Sequence, residues 1–158
     1  MTNLNDELDY QILKLLQKDG RMSFTEISKE IKVAVSTIRH RYINLVEEGT
    51  LKIIGRVDPD KIGFNAYASI MISVKPKLHL DTIFEELIKL PEVSFLALTS
   101  GDCDIEANVM CRDMTHLNEL LRTKIHVLEG VFDTKTNMYM KIYKISQPDL
   151  ELAKLSRK

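Results

Sequence analysis

The chain has only two cysteines, Cys103 and Cys111, and that scarcity removes a class of folds. They stand eight residues apart in an alternating segment. On one strand they would face the same side roughly 26 Å apart, too far to bridge or to share a metal. The pair reads as small core residues in a reducing compartment. Long apolar runs are also missing, and nothing approaches the ~18 residues needed to span a bilayer. The opening Met1 to Glu7 is acidic and has no cationic stretch followed by an apolar one, so no secretory signal is expected and the expected location is cytoplasmic. Histidines are few and dispersed. His40, His79, His116 and His126 show no ligand spacing, so neither a metal site nor a cofactor is expected. A global basic excess is lacking too: the 158 residues carry a formal net charge of −1. What matters for a polyanion partner is charge on one face. Between Lys29 and Arg56, Lys29, Lys32, Arg39, Arg41, Lys52 and Arg56 outnumber Glu30, Glu47 and Glu48, a local net charge of +3.

What is present divides into two halves. Leu8, Ile12, Leu15 and Leu16 make one apolar stripe at helical spacing, with Asp6 and Glu7 in the first turn, where the macrodipole favours anions. Asp19-Gly20 is expected to close that helix, with Gly20 in a left-handed cap. Ser23-Phe24-Thr25-Glu26 is a capping box opening a short second helix. A third periodic segment, Val35, Ile38, Tyr42, Leu45 and Val46, follows after a few residues and ends at Glu48-Gly49. Two helices joined so tightly and packed on a preceding one make a helix-turn-helix. The third helix leaves Ser36, Thr37, Arg39, His40, Arg41 and Asn44 on its polar side. Short hydroxyls at the leading end with arginines behind suit a helix entering a major groove, where Arg pairs with guanine and Ser or Thr takes base edges or phosphate. The β-branched stretch from Thr50 to Val57 reads as a linker strand, with Lys52 and Arg56 as candidate phosphate contacts. Trihelical units also serve as protein–protein modules, so the pattern alone leaves that alternative open.

In the second half, Ala66 to Val74 alternates as a strand that Pro76 stops; Leu80, Ile83, Phe84, Leu87 and Ile88 form a helical stripe; Ser94 to Thr99 is a second strand. The order recurs in Ile105 to Cys111, in Leu117, Leu120, Leu121 and Ile125, and in a long final strand from Val131 to Ile145. Between the halves Gly101-Asp102 signals a tight hairpin turn. The expected fold class is α+β: an N-terminal (winged) helix-turn-helix and a C-terminal ferredoxin-like βαββαβ domain with an antiparallel sheet. The expected boundaries are 1–50 for the first domain, 51–64 for the linker strand and hinge, 65–146 for the second domain and 147–158 for a tail without assigned function. One sheet face is left without helices, which points to self-association, and a dimer would read two half-sites about one helical turn apart.

Leu8-Asp9-Tyr10-Gln11-Ile12-Leu13, Ser36-Thr37-Ile38-Arg39-His40-Arg41 and Leu45-Val46-Glu47-Glu48-Gly49 resemble matching stretches of the leucine-responsive and asparagine-operon (Lrp/AsnC, feast/famine) regulators. So do the exit through Ile53 to Asp58-Pro59 and Ile62-Gly63, the run Ser100-Gly101-Asp102-Cys103-Asp104, and Leu128-Glu129-Gly130-Val131. The resemblance covers nearly the whole chain. It implies a sequence-specific transcriptional regulator that is not an enzyme, double-stranded DNA carrying an imperfect palindrome as partner, and dimers that assemble further to tetramers or octamers. It also implies a small amino acid or related metabolite as effector, bound near the Gly-x-x-Asp hairpin at subunit contacts. The chain departs from the family at Ala34-Val35, where Ser-Pro commonly opens the recognition helix; Ala34 forgoes a cap worth about 1 kcal/mol.

An amino-acid zwitterion needs an acceptor for its ammonium, which Asp102 or Asp104 would supply. It needs donors for its carboxylate, which Ser100, the Gly101-Asp102 amides and the hydroxyls of Thr134 and Thr136 would supply. The same residues would serve equally as ordinary turn and strand formers. The competing class is a sirohaem-decarboxylase-like enzyme of the same two-domain shape, for which His79, His116, His126 and Arg112 are the available groups.

Overall fold

Asp6 starts the first helix by capping it: its side chain accepts from the Leu8 amide at 2.9 Å, and α1 runs Glu7–Lys18. The computed structural model describes residues 6–155, which form two compact units, 6–56 with 144–155, and 57–143. In the first unit α2 (Phe24–Ile31) opens on the expected capping box, the Glu26 amide donating to Ser23 Oγ and the Ser23 amide to Glu26 Oε2 at 2.7 Å. Lys32 then adopts a left-handed conformation (φ 55°) to turn the chain into α3 (Val35–Glu47). Ile12, Leu16, Ile27, Ile38 and Leu45 form the buried core of these helices, and Tyr42 meets Phe24 edge to face at 5.1 Å. Ala34 makes no side-chain cap, as its missing hydroxyl dictates.

Two expectations for this unit need correction. Gly20 is not left-handed; Asp19 ends α1 in an extended conformation, and the positive-φ glycine of the unit is Gly49. Residues 51–58 form no strand, because no neighbouring strand is there to pair with them, and the described residues of this unit therefore contain no wing.

The second unit is built as βαββαβ. Its elements are β1 (Ala66–Val74), α4 (Leu80–Ile88), β2 (Val93–Leu98), β3 (Ile105–Cys111), α5 (Met114–Leu120, continued by one π turn to Ile125) and β4 (Val131–Met138). The strands lie in the order β2-β3-β1-β4, every pair antiparallel. Alternation decides the two faces. Ala66, Ala68, Ile70, Ile72 and Val74 of β1 are buried with Ile105, Val109 and Cys111 beneath Ile83, Leu87, Leu117, Leu120 and Ile125. The opposite face mixes Tyr67, Met71, Phe95 and Met110 with polar groups that are cross-linked: Ser69 Oγ donates to Glu106 at 3.0 Å and Tyr139 Oη to Asn108 at 3.0 Å. Both cysteines are free and buried, and burial pushes the Cys111 thiol up to about 11.

Two further expectations change here. The final strand stops at Met138 and not at Ile145, and the chain from 144 onwards rejoins the first unit, where α6 (Leu150–Leu155) forms. The hairpin between β2 and β3 is not a tight two-residue turn. Leu98 pairs with Ile105, so six residues intervene, and the loop closes through the Thr99 amide donating to the Asp104 carbonyl at 2.8 Å and Thr99 Oγ1 donating to the Cys103 carbonyl at 2.5 Å.

Candidate nucleic-acid interface and effector pocket

Helix α3 is oriented by burying Ile38 and Leu45. Because 3.6 residues complete a turn, this leaves Ser36, Thr37, Arg39 and His40 exposed along its leading half. Among the described residues Arg39 and Lys52 make no ion pair, so their charge is available to an outside anion. Lys52 and Arg56 are exposed on the chain leaving the unit, and Arg56 Nη1 donates a long 3.4 Å hydrogen bond to the Ile145 carbonyl.

Arg41 is different. Its Nη1 lies 2.7 Å from Asp6 and 3.2 Å from Asp9, so its guanidinium is committed to α1 and does not stand on the open side of α3. Asp9 is buried, and its Oδ1 has no hydrogen-bond partner among the described residues. Burial raises the Asp9 carboxyl above its ordinary value, with Arg41 opposing the rise. Asp6 is held below its ordinary value first by the Leu8 amide and then by Arg41. Arg41 thus fixes how α3 leans on α1. Periodicity does not show this clamp, because the partner carboxylates lie some thirty residues away and only the tertiary crossing brings them together.

The expected effector residues do not converge. Ser100, Gly101 and Asp102 lie exposed in the six-residue loop. Asp104 is already occupied: its Oδ2 accepts from the Val74 amide at 2.7 Å and its Oδ1 is paired with Lys77. Those two contacts hold its carboxyl below the ordinary value, Lys77 first. Asp104 is therefore a clamp on the end of β1. Thr134 and Thr136 are not beside the hairpin strand, because β1 separates β4 from β3, two strand spacings or roughly 10 Å. Thr134 instead meets His126 Nε2 at 2.9 Å, while Thr136 is exposed. An open pocket of about 290 Å³ is lined by His126, Val131, Phe132, Asp133 and Thr134. Lys75 Nζ stands 4.1 Å over the Phe132 ring. Sequence reading missed His126 as a partner of Thr134; the eight-residue gap between them hides a helix end folding back on an edge strand.

The remaining histidines are spread out. His116 Nε2 meets Glu92 at 3.1 Å while its Nδ1 accepts from the Arg112 amide, and His79 Nε2 lies 4.0 Å from Glu129. No group of three or more His, Cys, Asp or Glu among the described residues is arranged to hold a metal ion. No helix among them is long and apolar enough to cross a membrane.

Residues 6–45 match the AsnC-type helix-turn-helix domain and residues 67–149 the Lrp/AsnC ligand binding domain. An uncharacterized HTH-type transcriptional regulator of Pyrococcus abyssi is 39% identical over 140 residues, covering 88% of each chain. The structure of Escherichia coli AsnC aligns with a TM-score of 0.83 at 26% identity, over 90% of this chain and 97% of that one. A Neisseria meningitidis transcriptional regulator solved as an L-Met complex shares the fold, with a TM-score of 0.81 at 23% identity over 89% and 93% of the two chains. The relatives are named as regulators, and the decarboxylase alternative finds no support among them.

Proposed function

Since this chain belongs to the Lrp/AsnC family of DNA-binding transcriptional regulators, we propose that it reads duplex DNA through the leading half of α3 as a dimer. In this reading Arg39 and His40 reach base edges, Ser36 and Thr37 take base edges or phosphate, and Lys52 and Arg56 hold the backbone. One observation carries the assignment: the Ser36–His40 side of α3 is exposed, and among the described residues Arg39 makes no ion pair, whereas Arg41, two residues on, is spent inside the unit. Two such helices related by a two-fold axis match an imperfect palindrome. Dimers and their further assembly to tetramers or octamers are part of this proposal.

Arg39→Ala is expected to relax discrimination between a cognate and a scrambled duplex by roughly 1–3 kcal/mol, while Lys52→Ala weakens both duplexes alike and lowers the salt slope by about one. Competition binding at several salt concentrations reads both quantities. The role assignment fails if the two variants exchange behaviours.

A small amino acid as effector is the second part of the proposal. It is supported by the match to a ligand-binding domain and by a fold neighbour solved with L-Met. The pocket at β4 offers chemistry for a zwitterion. Strand β4 is at the sheet edge, so alternate amides and carbonyls of Val131–Thr134 have no strand partner. The Thr134 hydroxyl, held by His126, donates to the carboxylate, and outward carbonyls with Asp133 accept from the ammonium. A thermal-shift screen of the twenty amino acids should raise the melting temperature with one or a few of them, and Thr134→Val should remove the rise. A flat response, or a shift unchanged in Thr134→Val, would overturn this site.

A further inference from the structure

Among the described residues helix α6 spans Leu150–Leu155, six residues, well below the roughly 12–15 at which a helix becomes marginally stable by itself in water. Its helicity must come from what it docks on, and the contacts identify that as α1. Leu150 packs against the apolar core of the helical unit. Lys14 Nζ pairs with Glu151 at 2.5 Å, and Gln17 Nε2 donates to the Pro148 carbonyl at 2.7 Å. Lys14 and Gln17 are one helical turn apart on the exposed side of α1. Asp149 starts α6 by accepting from the Glu151 amide at 2.9 Å. Arg56 reaches the Ile145 carbonyl at the other end of the segment. The helix-turn-helix match covers 6–45 and the ligand-domain match ends at 149, so α6 lies outside both.

From these contacts we propose that residues 144–155 are a strap: a working part of the DNA-reading unit and a second covalent link through which the sensing domain acts on it. The first link is the chain around 57, and the second is the direct continuation of β4, the strand that lines the effector pocket. The strap ends on α1, and α1 holds α3 through Asp6, Asp9 and Arg41. A shift of β4 is therefore delivered to the helix that positions the reading helix. The coupling half rests on the DNA-binding reading; the docking half does not.

Hydrogen exchange on the full chain, with and without duplex DNA, separates the two halves. Three variants undo the strap by different means: Leu150→Asp, Lys14→Ala with Gln17→Ala, and a chain ending at Tyr143. Without DNA, amides in the second half of α1 should exchange about tenfold faster in Leu150→Asp and in the shortened chain. If α1 exchange is unchanged in both, the strap is not docked and the proposal is overturned. With DNA, the intact chain should show slowed exchange along Val131–Met138, and the undocked variants should lose that slowing while still binding. Slowing that persists without the strap, or that is missing from the intact chain bound to DNA, overturns the coupling. A chain that fails to bind DNA at all contradicts the proposed DNA reading instead and leaves the α1 comparison as the test of docking. Should the shortened chain not fold, Leu150→Asp and the Lys14/Gln17 pair carry both comparisons.

Discussion

Arg41→Ala is expected to destabilise the helical unit by roughly 1–3 kcal/mol. Removing one partner of a buried pair costs about 3–5 kcal/mol, because the other charge is left without compensation. Arg41 is itself 36% exposed, so solvent screening reduces the figure. What remains comes from Asp9, whose side chain is only 9% exposed and whose carboxyl already resists ionisation through burial. The pH dependence has a definite sign. A carboxyl raised in the folded state binds its proton more tightly there than in the unfolded chain. Its favourable contribution is complete below the unfolded value of 3.8 and is lost as pH rises through the folded one. Without Arg41 the folded value rises further. The deficit of Arg41→Ala should therefore be largest near neutral pH and shrink on acidification towards pH 4. Asp9→Asn in the Arg41→Ala background should recover part of the loss by removing the unpaired charge. Urea denaturation at several pH values measures all of this. A variant with unchanged stability and specifically weakened DNA binding would return Arg41 to the reading face.

Gly130→Ala should cost the second unit about 2–4 kcal/mol. Gly130 has φ 93°, which a side-chain-bearing residue adopts only under strain, and a Cβ there would stand 2.5 Å from His79 Cβ and 2.7 Å from its ring. The backbone cannot give easily, because the Gly130 carbonyl accepts from the Lys75 amide at 2.9 Å and Val131 begins the last strand. The contact is with the Cβ as well as the ring, so adding His79→Ala would leave the closest clash in place. Adding His79→Gly should recover the steric share and leave the conformational one. Thermal unfolding of the single and double variants separates the two contributions. A Gly130→Ala protein that melts with the unchanged chain would contradict the positive-φ assignment.

Legibility in the sequence followed neighbours. Ala66–Val74 and Ile105–Cys111 alternate because one face of each is buried along its whole length, so period and boundary agree. The stretch Tyr139 to Ile145 has equally strand-like residues but forms no strand. Strand β4 runs antiparallel to β1, Met138 already faces Ala68, and the Tyr139 amide reaches Tyr67 as β1 runs out. Composition reports what a residue could do; here the partner's length decides what it does. The stretch Thr50 to Val57 lacks any such partner, since no strand lies alongside it among the described residues. At the candidate sites, the exposed side of α3 followed from counting turns, but Arg41 and Asp104 did not. Each is a charged residue in a polar run, and each is claimed by a carboxylate or amine distant in sequence: Asp6 and Asp9 in one case, Lys77 in the other. The pocket at His126 and Thr134 is half visible in the sequence: Thr134 stands among the candidate effector residues, whereas His126 enters only among the dispersed histidines and the groups of the enzyme alternative.

The central claim, that α3 delivers this chain to DNA as a symmetric reader, is tested most directly by footprinting the purified protein on its own upstream region while salt is varied. The expected result is a protected stretch holding two related half-sites about one helical turn apart, with log K falling linearly against log salt. Absence of binding at low salt, or binding that is indifferent to salt and to sequence, would contradict it.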